Sequence, residues 1–361
     1  MKVVLDALIY DQHPSGIGQY VRQLAEALAE GFPEDDWEAL VRRGVTLPGF
    51  HAHEMGRADL TTWRRLLIEQ MQAPPALRSL GYDVVHFTDY RRPLLPLART
   101  VVTVHDLAAF RYPETFSAGQ RRLKQWFLRQ SVRRADRIIV PSASTEADLV
   151  NILGVDPERV AIVPHGVTPV LIPPGPSPRP RPYLLFVGTL EPRKNLVRLI
   201  EAYAKVRDRL SDVPDLVIIG RRGWLYQPIL RAVEDHHLAD RVIFLGYVPR
   251  SYLPSWYQHA VGFCFPTLYE GFGLPVLEAM AADCPVMTAN RGAAREVAEG
   301  AALLVDPENV DAIAEGMSSL IVGADVGATL RAAGRERARL YPWARTAAAT
   351  RAVYQIVSEG D

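Results

Sequence analysis

Two glutamates separated by seven residues flank a glycine-containing turn in the second half of the sequence. The apolar run GFCFPT precedes Glu270, and Gly271 and Gly273 then allow the backbone to turn tightly and to approach a ligand. Pro275 suits the first turn of a helix, where its missing N–H is not needed. A helix that begins here would present its first amides to an anion such as a diphosphate. We expect Glu270 and Glu278 to accept hydrogen bonds from hydroxyl groups at two places along one ligand.

A basic pair, Arg193 and Lys194, follows one predicted strand and precedes a predicted helix that begins at Asn195. Cations are disfavoured at the start of a helix, so an anionic ligand explains this pair better than the helix does. Fixed cations stabilise the charge that develops on a departing phosphate group more than they stabilise the ground state. We therefore predict catalytic roles for Arg193 and Lys194, together with Glu270.

Two segments of the first half also end predicted strands. The sequence SGIG at 15–18 follows the first strand and opens a helix, and this position favours ligand binding by Gly16 and Gly18, although a GxG pair alone is often only a turn. His105 ends another strand. A lone histidine at such a place is more often a structural hydrogen-bonding group than a catalyst, and we favour a contact with a ligand hydroxyl over a general-base role.

Short apolar runs alternate with helical patterns along the chain, which predicts an α/β protein with parallel sheets. The strands predicted in the first half span 3–8, 83–87, 101–105, 137–141 and 160–164. Those predicted in the second half span 183–188, 216–220, 242–246, 261–266 and 285–289. Apolar residues at three- and four-residue spacing predict a helix over 195–210.

The length of 361 residues exceeds the usual size of one hydrophobic core and predicts two domains. Residues 169–182 contain seven prolines and no strand or helix pattern, so we interpret them as a stiff linker. We predict a Rossmann-like domain over 1–168, a second over 183–340, and a C-terminal helix within 341–361 that packs back on the first domain.

Composition narrows the class of protein further. Lys+Arg and Asp+Glu number 41 each, so we expect no nucleic-acid partner. Cys264 and Cys284 lie in apolar runs without a CxxC partner, which is typical of reduced, buried thiols. An Asp-x-Asp motif beside a strand end and clustered His or Cys ligands are both absent from the sequence, which predicts a site without metal or cofactor.

Charge and hydropathy patterns also bear on location. The first residues include Asp6 where a signal peptide needs its apolar core, and no run approaches the roughly 18 apolar residues of a membrane span, so we expect a cytoplasmic protein. Segment 120–137 holds seven Arg or Lys residues and one acid around Trp126. It is interpreted either as a helix in peripheral contact with the inner face of a membrane or as an ordinary surface helix. For segment 63–68 we favour core packing over contact with an acceptor.

The motifs together resemble those of the family-4 glycosyltransferases, which are retaining enzymes of the GT-B fold. The hallmark of that family is a glutamate, seven residues and a second glutamate, matched here by Glu270 and Glu278. The sequence GTLEPRKN at 188–195 is similar to the segment that opens the family's second domain, and SGIG at 15–18 to its N-terminal glycine-rich loop. VHDL at 104–107 is similar to the family's loop whose histidine reaches the donor sugar. The sequences at 290–297 and 304–307 are similar to the family's usual C-terminal segments.

This resemblance implies two Rossmann-like domains that face each other across a cleft, the first binding the acceptor and the second the nucleotide sugar. It implies a metal-independent, retaining transfer of a hexose from a nucleoside-diphosphate sugar, of the GDP or UDP type, to a saccharide or lipid-linked saccharide. The HDL sequence followed by FRYPE at 110–114 is similar to mannosyl- and rhamnosyltransferases of bacterial polysaccharide assembly and favours GDP-mannose. The implied donor-binding residues are Gly16, Gly18, His105, Gly188, Gly220, Tyr247, Val248, Gly271, Phe272, Gly273, Leu274 and Glu278.

Three other functions are compatible with parts of these patterns. A nucleotide-sugar epimerase is the main alternative. A nicotinamide-dependent oxidoreductase is disfavoured, because a full GxGxxG with a downstream acid does not follow the first strand. A non-catalytic nucleotide-binding module is disfavoured because both glutamates and both cations are present.

Overall fold

The computed structural model describes residues 1–11, 16–57, 62–170 and 175–360, so Ser15 and residues 171–174 of the predicted linker lie outside the described residues. The chain divides into two compact units. The first comprises Met1–Arg111, Ser117–Gly166 and Pro342–Asp361. The second comprises Tyr112–Phe116 and Val167–Tyr341.

The first unit is built on a parallel sheet of seven strands with the order β3-β2-β1-β4-β5-β6-β7. The strands are β1 (Lys2–Asp6), β2 (Asp36–Arg42), β3 (His51–Met55), β4 (Val84–Phe87), β5 (Thr100–Thr103), β6 (Arg137–Val140) and β7 (Val160–Ile162). The helices are α1 (Gly16–Gly31), α2 (Thr62–Leu67), α3 (Ala73–Leu80), α4 (Ala108–Arg111), α5 (Ala118–Arg134) and α6 (Ala143–Leu153). A π-helical turn, Ile68–Gln72, joins α2 to α3.

The second unit is built on a parallel sheet of six strands with the order β10-β9-β8-β11-β12-β13. The strands are β8 (Tyr183–Val187), β9 (Asp215–Ile219), β10 (Val242–Gly246), β11 (Gly262–Phe265), β12 (Val286–Ala289) and β13 (Leu303–Val305). The helices are α7 (Leu196–Arg209), α8 (Gln227–Asp235), α9 (Leu253–Gln258), α10 (Leu274–Ala281), α11 (Gly292–Ala298), α12 (Val310–Val322) and α13 (Ala324–Arg339).

The predicted class, α/β with two parallel sheets, is confirmed, and all ten predicted strands form with ends shifted by at most two residues. Strands β2, β3 and β13 were not predicted. In β2, Glu38 is buried beside Lys2 and His53, so its charge interrupts the apolar pattern although the strand lies inside the sheet. β3 is rich in polar residues, and β13 has three residues.

The prediction that segment 63–68 packs in the core is wrong for Trp63 and Leu67. Trp63 is 67% exposed and Leu67 is 62% exposed, whereas Arg65 is buried. The two cysteines, Cys264 and Cys284, are free and buried as expected. Within the described residues, no single helix has the length and hydropathy to cross a bilayer; one bent pair, Val310–Val322 with Ala324–Glu359, passes on length and composition alone.

The last helix, α14 (Trp343–Glu359), belongs to the first unit and packs against α1. Its Tyr354 hydroxyl lies 2.6 Å from Nδ1 of His86 on β4, and the other ring nitrogen lies 2.7 Å from Oγ1 of Thr103 on β5. Burial lowers the pKa of His86 to about 3, so the ring is neutral at physiological pH and serves as a polar link between helix and sheet.

This buried histidine makes the stability of the fold depend on pH. Below about pH 6.5 the unfolded chain protonates His86 while the folded chain does not, so stability is lost as the pH falls from 6.5 toward 3. We expect His86→Gln to reduce the slope of unfolding free energy against pH by up to about 1.4 kcal/mol per pH unit. Urea unfolding between pH 7 and 5 measures the slope. His236→Gln, at an exposed position, is the control, and an unchanged slope in His86→Gln contradicts the prediction.

Candidate active site

Neighbouring strands of the second sheet bring the two strongest motifs together. β8 and β11 pair in parallel, so the segments that follow them leave the sheet at the same edge. The segment after β8 forms a short 3-10 turn, Pro192–Lys194. Asn195 then takes a left-handed conformation with φ of 61°, and its side-chain amide donates to the carbonyls of Pro266 and Pro307 at 2.9 and 2.6 Å. These bonds fix the basic pair against the loop that follows β11.

The basic pair and the first glutamate of the motif form one ionic cluster. Nζ of Lys194 lies 2.6 Å from Oε1 of Glu270, and Nη1 of Arg193 lies 3.2 Å from Oε2 of the same carboxylate. Arg193 also pairs with Glu191 at 2.7 Å and donates to the carbonyl of Tyr269 at 2.7 Å. The side chains of Arg193, Lys194 and Glu270 are each 10 to 12% exposed, so the cluster is largely shielded from water.

The charges of this cluster compensate one another. Burial alone would raise the pKa of Glu270, but Lys194 and Arg193, with hydrogen bonds from Lys194 and Thr267, hold that pKa below its usual value. Glu270 is therefore ionised at neutral pH. Sequence reasoning assigned the two cations to an external anion and did not identify Glu191 as a partner. Glu191 lies two residues before Arg193, which is not one of the three- or four-residue spacings that mark an ion pair on a helix.

The glycine turn begins α10 in the predicted way. Gly273 is the N-cap residue with φ of 112°, a conformation that disfavours any residue with a Cβ, and Pro275 lies in the first helical turn. Leu274 is the first residue of the helix, and Phe272 is buried just before it. The start of a helix thus lies four residues after Glu270, at the edge of the sheet that carries the ionic cluster.

The second glutamate is held by residues that the sequence analysis did not identify. Glu278 lies in α10, and the guanidinium of Arg250 donates to its Oε1. The hydroxyl of Tyr257 donates to its Oε2 at 3.3 Å. Because Arg250 precedes Glu278 by 28 residues, only the fold brings them together.

Backbone segments after β8 and β9 approach each other closely. A Cβ placed on Gly220 would stand 1.9 Å from the carbonyl oxygen of Gly188. Beside them, the guanidinium of Arg221 lies 4.4 Å from the ring centroid of Tyr247, a cation–π contact, and Tyr247 is 43% exposed. Val248 follows this ring and is half-buried. The predicted residues Gly188, Gly220, Tyr247 and Val248 thus lie at one edge of the sheet.

The close approach at Gly220 predicts an unequal effect of two alanine substitutions. Gly300 has φ of +72° and open space around its Cα, so Gly300→Ala should cost about 1 kcal/mol of stability from backbone conformation alone. Gly220→Ala must also displace the carbonyl of Gly188, so we expect a loss of about 3 kcal/mol or more. Chemical denaturation of both variants measures the difference, and equal losses would contradict the close approach.

In the first unit, two of the predicted segments reach one cavity of about 60 Å³. His105, which follows β5, lines it, and so does Ile17, which lies between Gly16 and Gly18 in the first turn of α1. Nε2 of His105 lies 2.8 Å from the carbonyl of Thr88 and must donate to it. Burial lowers the pKa of His105 although Asp89 opposes this effect. The ring therefore combines a structural hydrogen bond with a place in the cavity wall.

Family comparisons agree with this arrangement of motifs. Residues 14–171 match the model described as Glycosyltransferase Family 4, and residues 170–339 match that of Glycosyl transferases group 1. The chain is 29% identical over 303 residues to O-antigen chain mannosyltransferase B of Escherichia coli, covering 81% of this chain and 79% of the relative. It is 30% identical over 283 residues to the D-inositol 3-phosphate glycosyltransferase of Corynebacterium glutamicum, covering 73% of this chain and 67% of the relative.

Solved structures share the fold. Sucrose-phosphate synthase from Thermosynechococcus elongatus superimposes with a TM-score of 0.77 at 23% identity, covering 98% of both chains. WaaG, a glycosyltransferase involved in lipopolysaccharide biosynthesis, superimposes with a TM-score of 0.75 at 17% identity over both whole chains. Two parallel-sheet units with these neighbours show that the chain has the GT-B fold. The chain belongs to the family-4 glycosyltransferases, among whose members O-antigen mannosyltransferases are its relatives. The comparisons give no support for an epimerase.

Proposed function

We propose that the protein is a retaining, metal-independent hexosyltransferase that transfers mannose from GDP-mannose to a saccharide or lipid-linked saccharide. The observation that carries the chemistry is the ionic cluster of Arg193, Lys194 and Glu270 near the start of α10. The choice of mannose is supported by relatives named as O-antigen mannosyltransferases in Escherichia coli and Salmonella typhimurium.

In this proposal Arg193 and Lys194 bind the diphosphate and stabilise the charge that forms as it departs. Because Glu191 and Glu270 already hold both cations, the cations need little rearrangement when the bond breaks. The backbone amides at the start of α10, from Gly273 and Leu274 onward, add donors to the same phosphates. These two fixed cations are our argument for metal independence, since they supply the positive charge that a divalent ion supplies in other transferases.

The two glutamates bind hydroxyl groups. An ionised carboxylate has about four lone-pair sites, and the described contacts of Glu270 engage three of them through Lys194, Arg193 and Thr267. The remaining capacity at Oε2 suits a hydroxyl of the donor sugar. Glu278, oriented by Arg250 and Tyr257, is assigned to the ribose hydroxyls.

Retention needs no protein base in this proposal. The bond between the anomeric carbon and the phosphate oxygen breaks, the acceptor oxygen bonds on the same face, and the acceptor proton passes to the departing phosphate oxygen. His105 is assigned to a sugar hydroxyl because its Nε2 already donates to Thr88 and its pKa is lowered by burial. Gly16 and Gly18 are assigned to backbone contact with the substrate, since Ile17 between them lines the same cavity as His105.

Arg193→Ala tests the phosphate-binding cluster. Loss of a fixed donor at the developing charge should lower kcat by about 100-fold or more. Release of GDP from GDP-mannose in the presence of a mannoside acceptor measures turnover, and thermal unfolding measures the fold. Lys205→Ala is the matched control, since Lys205 forms an exposed pair with Asp311 and should keep wild-type turnover. Wild-type turnover in a folded Arg193→Ala protein would sink the assignment.

Donor identity and stereochemistry are tested separately. A nucleotide that binds only the folded protein raises its melting temperature. At a nucleotide concentration of 100 times Kd, the free energy of unfolding increases by about 2.7 kcal/mol. We expect GDP to give the largest shift among GDP, UDP, ADP and TDP. Nuclear magnetic resonance of the product should show an α-mannoside, as in the donor. A larger shift with UDP would contradict the mannose assignment alone, and a β-linked product would contradict retention.

A further inference from the structure

The helical segment 62–72 carries an exposed apolar stripe. Trp63, Leu67 and Met71 recur at four-residue spacing and are 67, 62 and 70% exposed. Side chains at this spacing lie on one side of a helix. Bulky apolar side chains exposed singly are ordinary, but three in register form a patch that a soluble surface rarely leaves uncovered.

The opposite side of this segment is anchored by a buried network of Arg65, Glu69 and Asp89. Arg65 pairs with Glu69, and its Nη2 lies 3.3 Å from Oδ2 of Asp89, which follows β4. Glu69 is fully buried, and burial raises its pKa to about 8. Rotation of the helix to bury Trp63 would expose this network and leave Asp89 without Arg65. The outward position of the stripe is therefore a consequence of the ionic anchor.

An adjoining loop extends the apolar surface. Gln70 accepts from the backbone N–H of Leu94 at 2.9 Å and donates to the carbonyl of Arg92 at 3.4 Å, so the loop lies against the helix. Leu94 and Leu95 are 37 and 44% exposed. On its other side the loop is joined to α5, because the backbone N–H of Arg92 donates to the hydroxyl of Ser131 at 3.2 Å.

The exposed charges of these three segments are all positive. The only acid within 62–80, 90–99 and 118–134 is Glu69, which is buried. On α5, Arg122, Trp126, Arg129 and Arg133 follow helical spacing and are exposed. The other exposed arginines of the three segments are Arg64, Arg78, Arg99 and Arg134.

We propose that Trp63, Leu67, Met71, Leu94 and Leu95, with the surrounding arginines, form a face that docks on an anionic lipid bilayer. The apolar side chains would enter the interfacial region while arginines contact lipid phosphates. A second copy of the chain is a poorer occupant, because an isologous contact would bring the same acid-free arginines together. The proposal rests on the proposed function, because a lipid-linked acceptor would be held in the bilayer that this face contacts. It adds the helical segment 62–72 to the membrane contact considered for segment 120–137.

Vesicle flotation tests this docking without turnover. The full chain is mixed with vesicles of phosphatidylcholine alone or with added phosphatidylglycerol, at low and high salt. We expect binding to the anionic vesicles, weakened by salt. The double variant Trp63→Ser with Leu67→Ser should lose about tenfold or more of this binding while keeping its melting temperature, since both side chains are exposed. Ile356→Ser, at an exposed apolar position on α14, is the matched control and should bind as wild type.

A second variant separates the electrostatic contribution. Arg122→Gln with Arg129→Gln should reduce the preference for anionic vesicles and its dependence on salt. Absence of wild-type binding to anionic vesicles, or wild-type binding by the Trp63 and Leu67 variant, overturns the proposal. So does a wild-type dimer that the same variant converts to a monomer without any vesicle binding. Intact vesicle binding with failed sugar transfer would count only against the proposed function.

Discussion

The pairing of Arg193 and Lys194 with Glu270 joins the two loops of the second unit that carry its strongest motifs. Charged groups that are nine-tenths buried are tolerated only when partners and hydrogen bonds compensate the lost hydration. That requirement fixes the segment after β8 against the segment after β11. Asn195, by bonding two carbonyls from a left-handed conformation, holds the junction where the basic turn becomes α7. The cluster is thus held in place by the protein's own contacts, as its proposed electrostatic role requires.

The first unit also gathers charge at the carboxyl edge of its sheet, but with a different balance. Asp6 ends β1 and Asp89 follows β4, and both are buried near Arg65. Burial raises the pKa of Asp6 despite Arg65, and the pKa of Glu69 rises to about 8. In the second unit, by contrast, the pKa of Glu270 is lowered because two cations contact it directly. Burial therefore outweighs the nearby arginine for Asp6 and Glu69, whereas the two cations outweigh burial for Glu270.

Much of the fold could be predicted from the sequence because most strands are buried on both faces and are therefore continuously apolar. β2 and β3 were missed because residues such as Glu38 and His53 are compensated only across strands, which a linear pattern does not reveal. At the site, the spacing of Glu270 and Glu278 carried the signal, whereas Arg250 and Tyr257 belong to elements that only tertiary folding brings to Glu278.

Segment 63–68 shows the same limit in reverse. Its apolar residues suggested core packing, but Arg65 is the buried side chain because it pairs with the buried carboxyl groups of Glu69 and Asp89. Trp63 and Leu67 are then left outside. Hydropathy ranks a tryptophan above an arginine for burial, and the ranking fails where a buried carboxylate must be paired.

The site's construction also explains why family membership is easier to infer than donor identity. The ends of β8 and β9 approach so closely at Gly188 and Gly220 that backbone, rather than side chains, forms this part of the edge. Backbone amides and fixed cations suit phosphates, which every nucleotide sugar shares, so they leave strong motifs that carry no information about the base. Discrimination between bases needs side-chain donors and acceptors. Side chains at this edge, such as Arg221 and Tyr247, come together only through the fold and follow no fixed spacing, so the sequence does not reveal them.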